Sequence, residues 1–138
     1  MKLQLVELLG RSIGEIGVSQ RARHCTPDMP VSQAATILKH EKIGSLVVVA
    51  DGKVKGIFTE RDLLEKAAFQ NLDMNTLKVS DLMTMNPVCV QRHESIGAVL
   101  LRMRSGKLRH IIITDNYEHL EKVVSMREIM DYFLGAVS

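Results

Sequence analysis

The chain has 138 residues, of which 46% are apolar and 25% charged, with aromatics at 4% and a formal net charge of +2. This length suits one ordinary domain with a real core, and the mix excludes wholesale disorder. The charge is too small to argue for nucleic acid or a membrane surface as a partner. With no Trp, the core must be built from Val, Ile, Leu and Met. Cys25 and Cys89 form neither a scaffold pattern nor a C-x-x-C, and read as reduced thiols of a cytoplasmic protein. The longest fully apolar run, Leu46 to Ala50, falls far short of the roughly 20 residues that span a bilayer. "MKLQLVELLGR" carries Glu7 and no small-residue cleavage site follows, so it does not read as a signal peptide.

In chain order, "LQLVELLG" predicts a short helix ended by Gly10, within an N-terminal helical extension over 1–17. "ARHCT" is a short extended piece. Pro30 and Ser32 then open a helix on which Ala34, Ala35, Ile37, Leu38 and Ile43 recur at helical spacing. "SLVVVA" and "KVKGIFT" flank Asp51-Gly52, a strong hairpin signal. "ERDLLEKAAFQ" predicts a helix with Leu63, Leu64, Ala67 and Ala68 on one side. "NLDMNTLKVS" is polar and turn-rich, a joining segment. "PVCVQ" is again extended, followed by a helix over 95–105, strands near 110–114 and 120–125, and a helix over 126–134.

The second half therefore repeats the first. Gly44-Ser45-Leu46 falls opposite Arg109-His110-Ile111, and Thr59 falls opposite Ser125 after one extra residue in the second hairpin. Two copies are too few for a solenoid and suit a pseudo-symmetric pair. The expected fold class is α/β (α+β).

The blocks "IGSLVVVADGKVKGIFTERD" and "RHIIITD", and Leu82-Met83-Thr84 before Pro87 and Val88, resemble a tandem pair of CBS domains, the Bateman module. The resemblance implies two β-α-β-β-α repeats, 18–70 and 79–138, joined by a linker at 71–78 and related by a pseudo-two-fold axis in one module. It further implies a regulatory sensor that binds an adenosine-containing ligand, such as AMP, ATP, NAD or S-adenosylmethionine, in the cleft between repeats. A homodimer and a regulated protein partner are also implied. The helix faces offered for the dimer are Ala35, Leu38, Leu64 and Ala68 in one copy and Val99, Leu100, Ile129 and Phe133 in the other.

The family's glycine-apolar-apolar-Thr/Ser-x-x-Asp pattern lands on Gly56, Ile57, Phe58, Thr59 and Asp62. Thr59 stands where a strand gives way to a helix, whose free N–H groups and dipole attract phosphate. Asp62 offers two oxygens to a ribose diol. Gly56 would let the backbone approach a ligand closely. Ile57, Leu108, Pro87 and Val88 are candidates for a base pocket. Thr-x-x-Asp is also close to a capping box, in which both side chains only satisfy the helix end, and the two roles are compatible. In the second copy Ser125 is kept, but Lys122 replaces the glycine and Glu128 the aspartate, so that site is altered. Arg109 suits phosphate, with His110 beside it and Lys107 and Arg104 adding charge; the alternative is a solvated basic helix end. Arg61 reads as a surface partner of Glu65.

No zinc spacing joins His24, Cys25, His40 and His93, and no Ser-His-Asp arrangement or G-x-S-x-G occurs. The chain reads as a non-enzyme without metal or catalytic cofactor. The competing reading is a structural dimerisation module that meets no ligand.

Overall fold

The computed structural model describes residues 4–17, 23–68 and 70–137; Leu3, Val18 and Ala22, and the side chain of Ala68, on which parts of the sequence reading fall, lie outside them. Pro30, in extended backbone, starts α2 (Val31–Glu41), which stops at Lys42 in the left-handed conformation, φ 54°. Its counterpart α5 (Ile96–Gly106) starts at Ser95, whose hydroxyl accepts from the Ala98 N–H, and also stops at a left-handed lysine, Lys107. In each case the lysine N–H donates to the carbonyls three and four residues back, the usual way of closing a last turn.

The strand hairpins follow their turns. Asp51 and Gly52 both have positive φ, as a two-residue turn matched to strand twist requires. That turn joins β2 (Ser45–Ala50) to β3 (Lys53–Thr59). Parallel β1 (His24–Cys25) lies on one side of them and antiparallel β4 (Thr84–Met85) on the other, giving the order β1-β2-β3-β4. The second sheet has the order β5-β6-β7, with β5 (Cys89–Gln91) parallel to β6 (His110–Thr114) and β6 antiparallel to β7 (Leu120–Ser125). Both hairpins slip register at the same place, between Val48 and Val49 and between Ile113 and Thr114.

The described residues fall into two compact units: Ala22–Pro87, and Met1–Arg21 with Val88–Ser138. Sequence copy and spatial unit thus differ. In the first unit, α4 (Val79–Leu82) and β4 open the second copy in sequence yet dock on the first copy, β4 on its sheet and α4 on the stretch before α2 through the Pro30–Lys78 bridge. In the second unit, α1 (Leu5–Gly10) and the 3-10 turn Ile13–Glu15 dock on the second copy, through the Ser12–Ser95 bridge and Ile13 N–H to the Glu94 carbonyl. Each unit has its own aliphatic core. Phe58, Leu46, Val48, Leu38 and Ala67 anchor one, and Ile111, Ile113, Val99, Met103 and Ile129 the other.

Three departures from the expected helices matter. After α3 (Glu60–Asp62) the chain continues as a π-helix, Leu63–Ala68, so Asp62 and Ala67, five apart, are both buried while Leu64 is 57% exposed. Leu38, Val99 and Ile129, offered as dimer-face residues, are core instead. The last helix α6 (Met126–Val137) runs beyond the expected 126–134 and exposes Met130 and Leu134. Among the described residues, no helix is long and apolar enough to cross a membrane.

Candidate functional site

In the first unit, β3 delivers Thr59 in extended backbone to the start of α3, where a capping box forms in full. The Thr59 hydroxyl accepts from the Asp62 N–H at 3.1 Å, and Asp62 Oδ2 accepts from the Thr59 N–H at 3.0 Å and its hydroxyl at 3.1 Å. Asp62 Oδ1 accepts from the Thr84 hydroxyl at 3.2 Å and lies 3.0 Å from the Lys66 ammonium. Asp62 is 5% exposed, so this carboxylate is buried with donors on both oxygens, the condition that makes burial of a charge tolerable. The helix-end N–H of Glu60 is likewise used, on the Gly44 carbonyl.

Gly56 has a local reason to be glycine. A Cβ there would stand 2.8 Å from both Met83 Sδ and the Thr84 carbonyl, so its bare backbone serves the close docking of β4. Ile57 is half-buried beside it, paired with Val47 and Thr84. Pro87 is half-buried where this unit ends.

In the second unit the box recurs with the longer acid: Glu128 Oε1 accepts from the Ser125 N–H at 3.0 Å and Ser125 Oγ from the Glu128 N–H at 3.1 Å. Opposite Ser125 on β6, His110 is half-buried, and burial pushes its pKa below the usual value, Arg109 adding to that and Glu128 opposing it. Arg109, His110, Ser125, Met126, Arg127 and Met130 line an open hollow of about 400 Å³. Arg109 is exposed there, and its carbonyl accepts from the Met126 N–H. Leu108 and Val88 pack against the core of this unit and are not among the residues lining the hollow.

The sequence-derived residues thus gather as Gly56, Ile57, Thr59 and Asp62 in one unit and Arg109, His110 and Ser125 in the other. Sequence reasoning missed Lys66 and Thr84, although Lys66 follows Asp62 by one helical turn in "DLLEK". It also read Lys122 only as a lost glycine. In fact the Lys122 ammonium donates to the carbonyls of Gly14 at 2.8 Å and Ile16 at 2.6 Å. Among the described residues, no group of three or more His, Cys, Asp or Glu could hold a metal ion.

The CBS domain family model matches residues 13–68 and 79–135. The chain is 34% identical over 109 residues to the uncharacterized protein YlbB of Bacillus subtilis, covering 78% of this chain and 72% of that one. It is also 34% identical over 89 residues to the CBS domain-containing protein CBSCBSPB3 of Arabidopsis thaliana, 64% of this chain but 16% of that protein's length. Among solved structures, a putative signal-transduction protein with CBS domains from Burkholderia ambifaria superposes with a TM-score of 0.82 at 22% identity, over 91% of this chain and 93% of that one. The CBS domain pair of protein MJ0100, in complex with 5′-methylthioadenosine and S-adenosyl-L-methionine, gives 0.79 at 25% identity, over 90% and 96%. A CBS domain protein from Pyrobaculum aerophilum complexed with AMP gives 0.78 at 20%, over 91% and 99%. The chain belongs to the CBS domain family and carries two CBS repeats in tandem, a Bateman module of mixed α+β fold.

Proposed function

We propose that this chain is a regulatory sensor for an adenosine-containing ligand such as AMP, ATP, NAD or S-adenosylmethionine, and works as a homodimer in the cytoplasm without catalysing a reaction. The carrying observation is the Thr59–Asp62 box: a buried carboxylate at a strand–helix junction, already surrounded by hydrogen-bond donors at 3.0 to 3.2 Å. Such a preorganised acceptor suits a ribose diol, because two O–H donors can take over places that donors already hold. The AMP complex of the Pyrobaculum protein and the S-adenosylmethionine complex of MJ0100 support an adenosine-containing ligand. Ile57, Pro87, Val88 and Leu108 are proposed for the base. Arg109, with His110 and Ser125, is proposed for phosphate, since a guanidinium can hold phosphate oxygens through two parallel bonds.

A second reading is a structural dimerisation module, favoured by the completeness with which Asp62 is satisfied inside the chain. A thermal-shift series with AMP, ATP, NAD and S-adenosylmethionine separates the two. A ligand at about 100 times its Kd should add roughly 2.7 kcal/mol of stability. No shift with any of the four at millimolar concentration leaves the structural reading.

A further inference from the structure

An ionised carboxylate has about four acceptor positions. In Asp62 they meet four donors from three residues, and the two oxygens differ. Oδ2 is held by the N–H and hydroxyl of Thr59, three residues away in the same cap. Oδ1 is held by Thr84 and Lys66. The same Lys66 ammonium donates at 2.9 Å to the carbonyl of Leu82, the last residue of α4. One carboxylate oxygen is therefore the point where α4 and β4 are fastened to the start of the helix.

A ribose diol held by Asp62 must replace two of these donors. Those on Oδ2 belong to the cap itself. Those on Oδ1 come from an exposed threonine and from a lysine side chain that is 40% exposed, both of which water can satisfy once released. We infer that ligand entry at Asp62 exchanges Thr84 and Lys66 for ribose hydroxyls, and thereby unfastens the segment Val79–Met85 from the β3–α3 junction. This inference rests on the ribose role of Asp62 proposed above. The segment's remaining ties include two strand pairs, Gly56 with Met85 and Ile57 with Thr84, and the N–H groups of Val79 and Ser80 on the carbonyls of Met29 and Pro27. Occupancy at Asp62 would thus be converted into mobility of the stretch that leads directly into Pro87 and Val88.

Hydrogen exchange of the full chain with adenosine tests this, since adenosine is uncharged and removing a lysine does not weaken it through phosphate. Adenosine should speed exchange of the amides within 79–85 severalfold. Lys66→Met should show that faster exchange without ligand and bind adenosine about three- to fivefold more tightly, because the competing ion pair is gone. Lys66→Arg should restore both values toward the parent, and Thr84→Val should act in the same direction as Lys66→Met. If adenosine binding depends on Asp62 but leaves 79–85 unchanged or slower, the latch is wrong while the ribose contact stands. Lys66→Met binding no more tightly also overturns the latch. If Asp62→Asn binds adenosine as well as the parent, or the parent does not bind it, the ribose reading fails and the latch falls with it.

Discussion

Asp62 has little room for a conservative change. As asparagine it keeps one oxygen, and its new amide donors must face either the Thr59 N–H or the pair Lys66 and Thr84. A helix cap alone costs about 1 kcal/mol. Here partly buried donors lose an acceptor oxygen and a buried side chain gains an unmatched amide, so Asp62→Asn should lower stability by about 1–3 kcal/mol in urea unfolding. Calorimetry should show nucleotide affinity falling at least about tenfold, near 1.4 kcal/mol. Stability lost with affinity unchanged would make the box a cap and nothing more. His110 gives a second test, through pH. Burial holds its pKa below the usual value, so the unfolded chain takes up the proton at a higher pH than the folded one. The stability it confers is complete above the ordinary histidine value and is lost as pH falls through that value toward the folded one. His110→Gln should therefore lessen the drop in urea midpoint between about pH 7.5 and about pH 5.5. An undiminished drop would assign the acid sensitivity to other groups.

The two repeats differ at the matching position where a docking segment meets the hairpin. In one unit Gly56 on β3 leaves room for Met83 of the docking segment. In the other, β7 carries Lys122 at the matching register position, and its ammonium holds two carbonyls of the docking segment, those of Gly14 and Ile16. Lys122→Met should lose about 1–3 kcal/mol and raise amide exchange over 13–16, because those carbonyls lose a charged donor. Unchanged exchange there would show that Ile13 and Ile16 packing and the backbone bonds of Ile13 and Gly14 to Glu94 and Arg92 hold the segment without Lys122. The sequence reading could see neither the Lys122 contacts nor the docking of these segments. Helix α2, the Asp51-Gly52 hairpin and the Thr59–Asp62 capping box were legible because each is written within about a dozen neighbouring residues. The two-residue strand β4 is too short for any alternation to register. Left-handed Lys42 and Lys107 lack the glycine that usually announces such a helix end. Leu63, Leu64 and Ala67 fit an α-helical stripe, so the π turn that buries Asp62 with Ala67 left no mark. Thr84 reaches Asp62 from 22 residues away, beyond any local pattern.

Exposed apolar surface is unevenly shared between the units. In Ala22–Pro87, exposed Leu64, Leu72, Met74 and Met85 sit in a π-helix, a polar joining segment and a short edge strand. In the other unit, exposed Leu5 and Val6 lie on α1, Leu101 on α5, and Met130 and Leu134 one turn apart on α6. The opposite problem, filling the core, is already solved on α6 by Ile129, with Met126 and Phe133 packed against the same cluster. Met130 and Leu134 are thus surplus to the chain's own core, and surplus helical hydrophobes of this kind mark interfaces. Light scattering at tens of micromolar should give twice the chain mass. Replacing both residues, Met130→Glu with Leu134→Glu, should give a folded monomer by circular dichroism and light scattering together, since a carboxylate on each chain would be desolvated at the contact. Leu72→Glu, in the joining segment, should leave the dimer intact. A monomeric parent would reject the homodimer, and a dimeric double variant would move the interface away from α6.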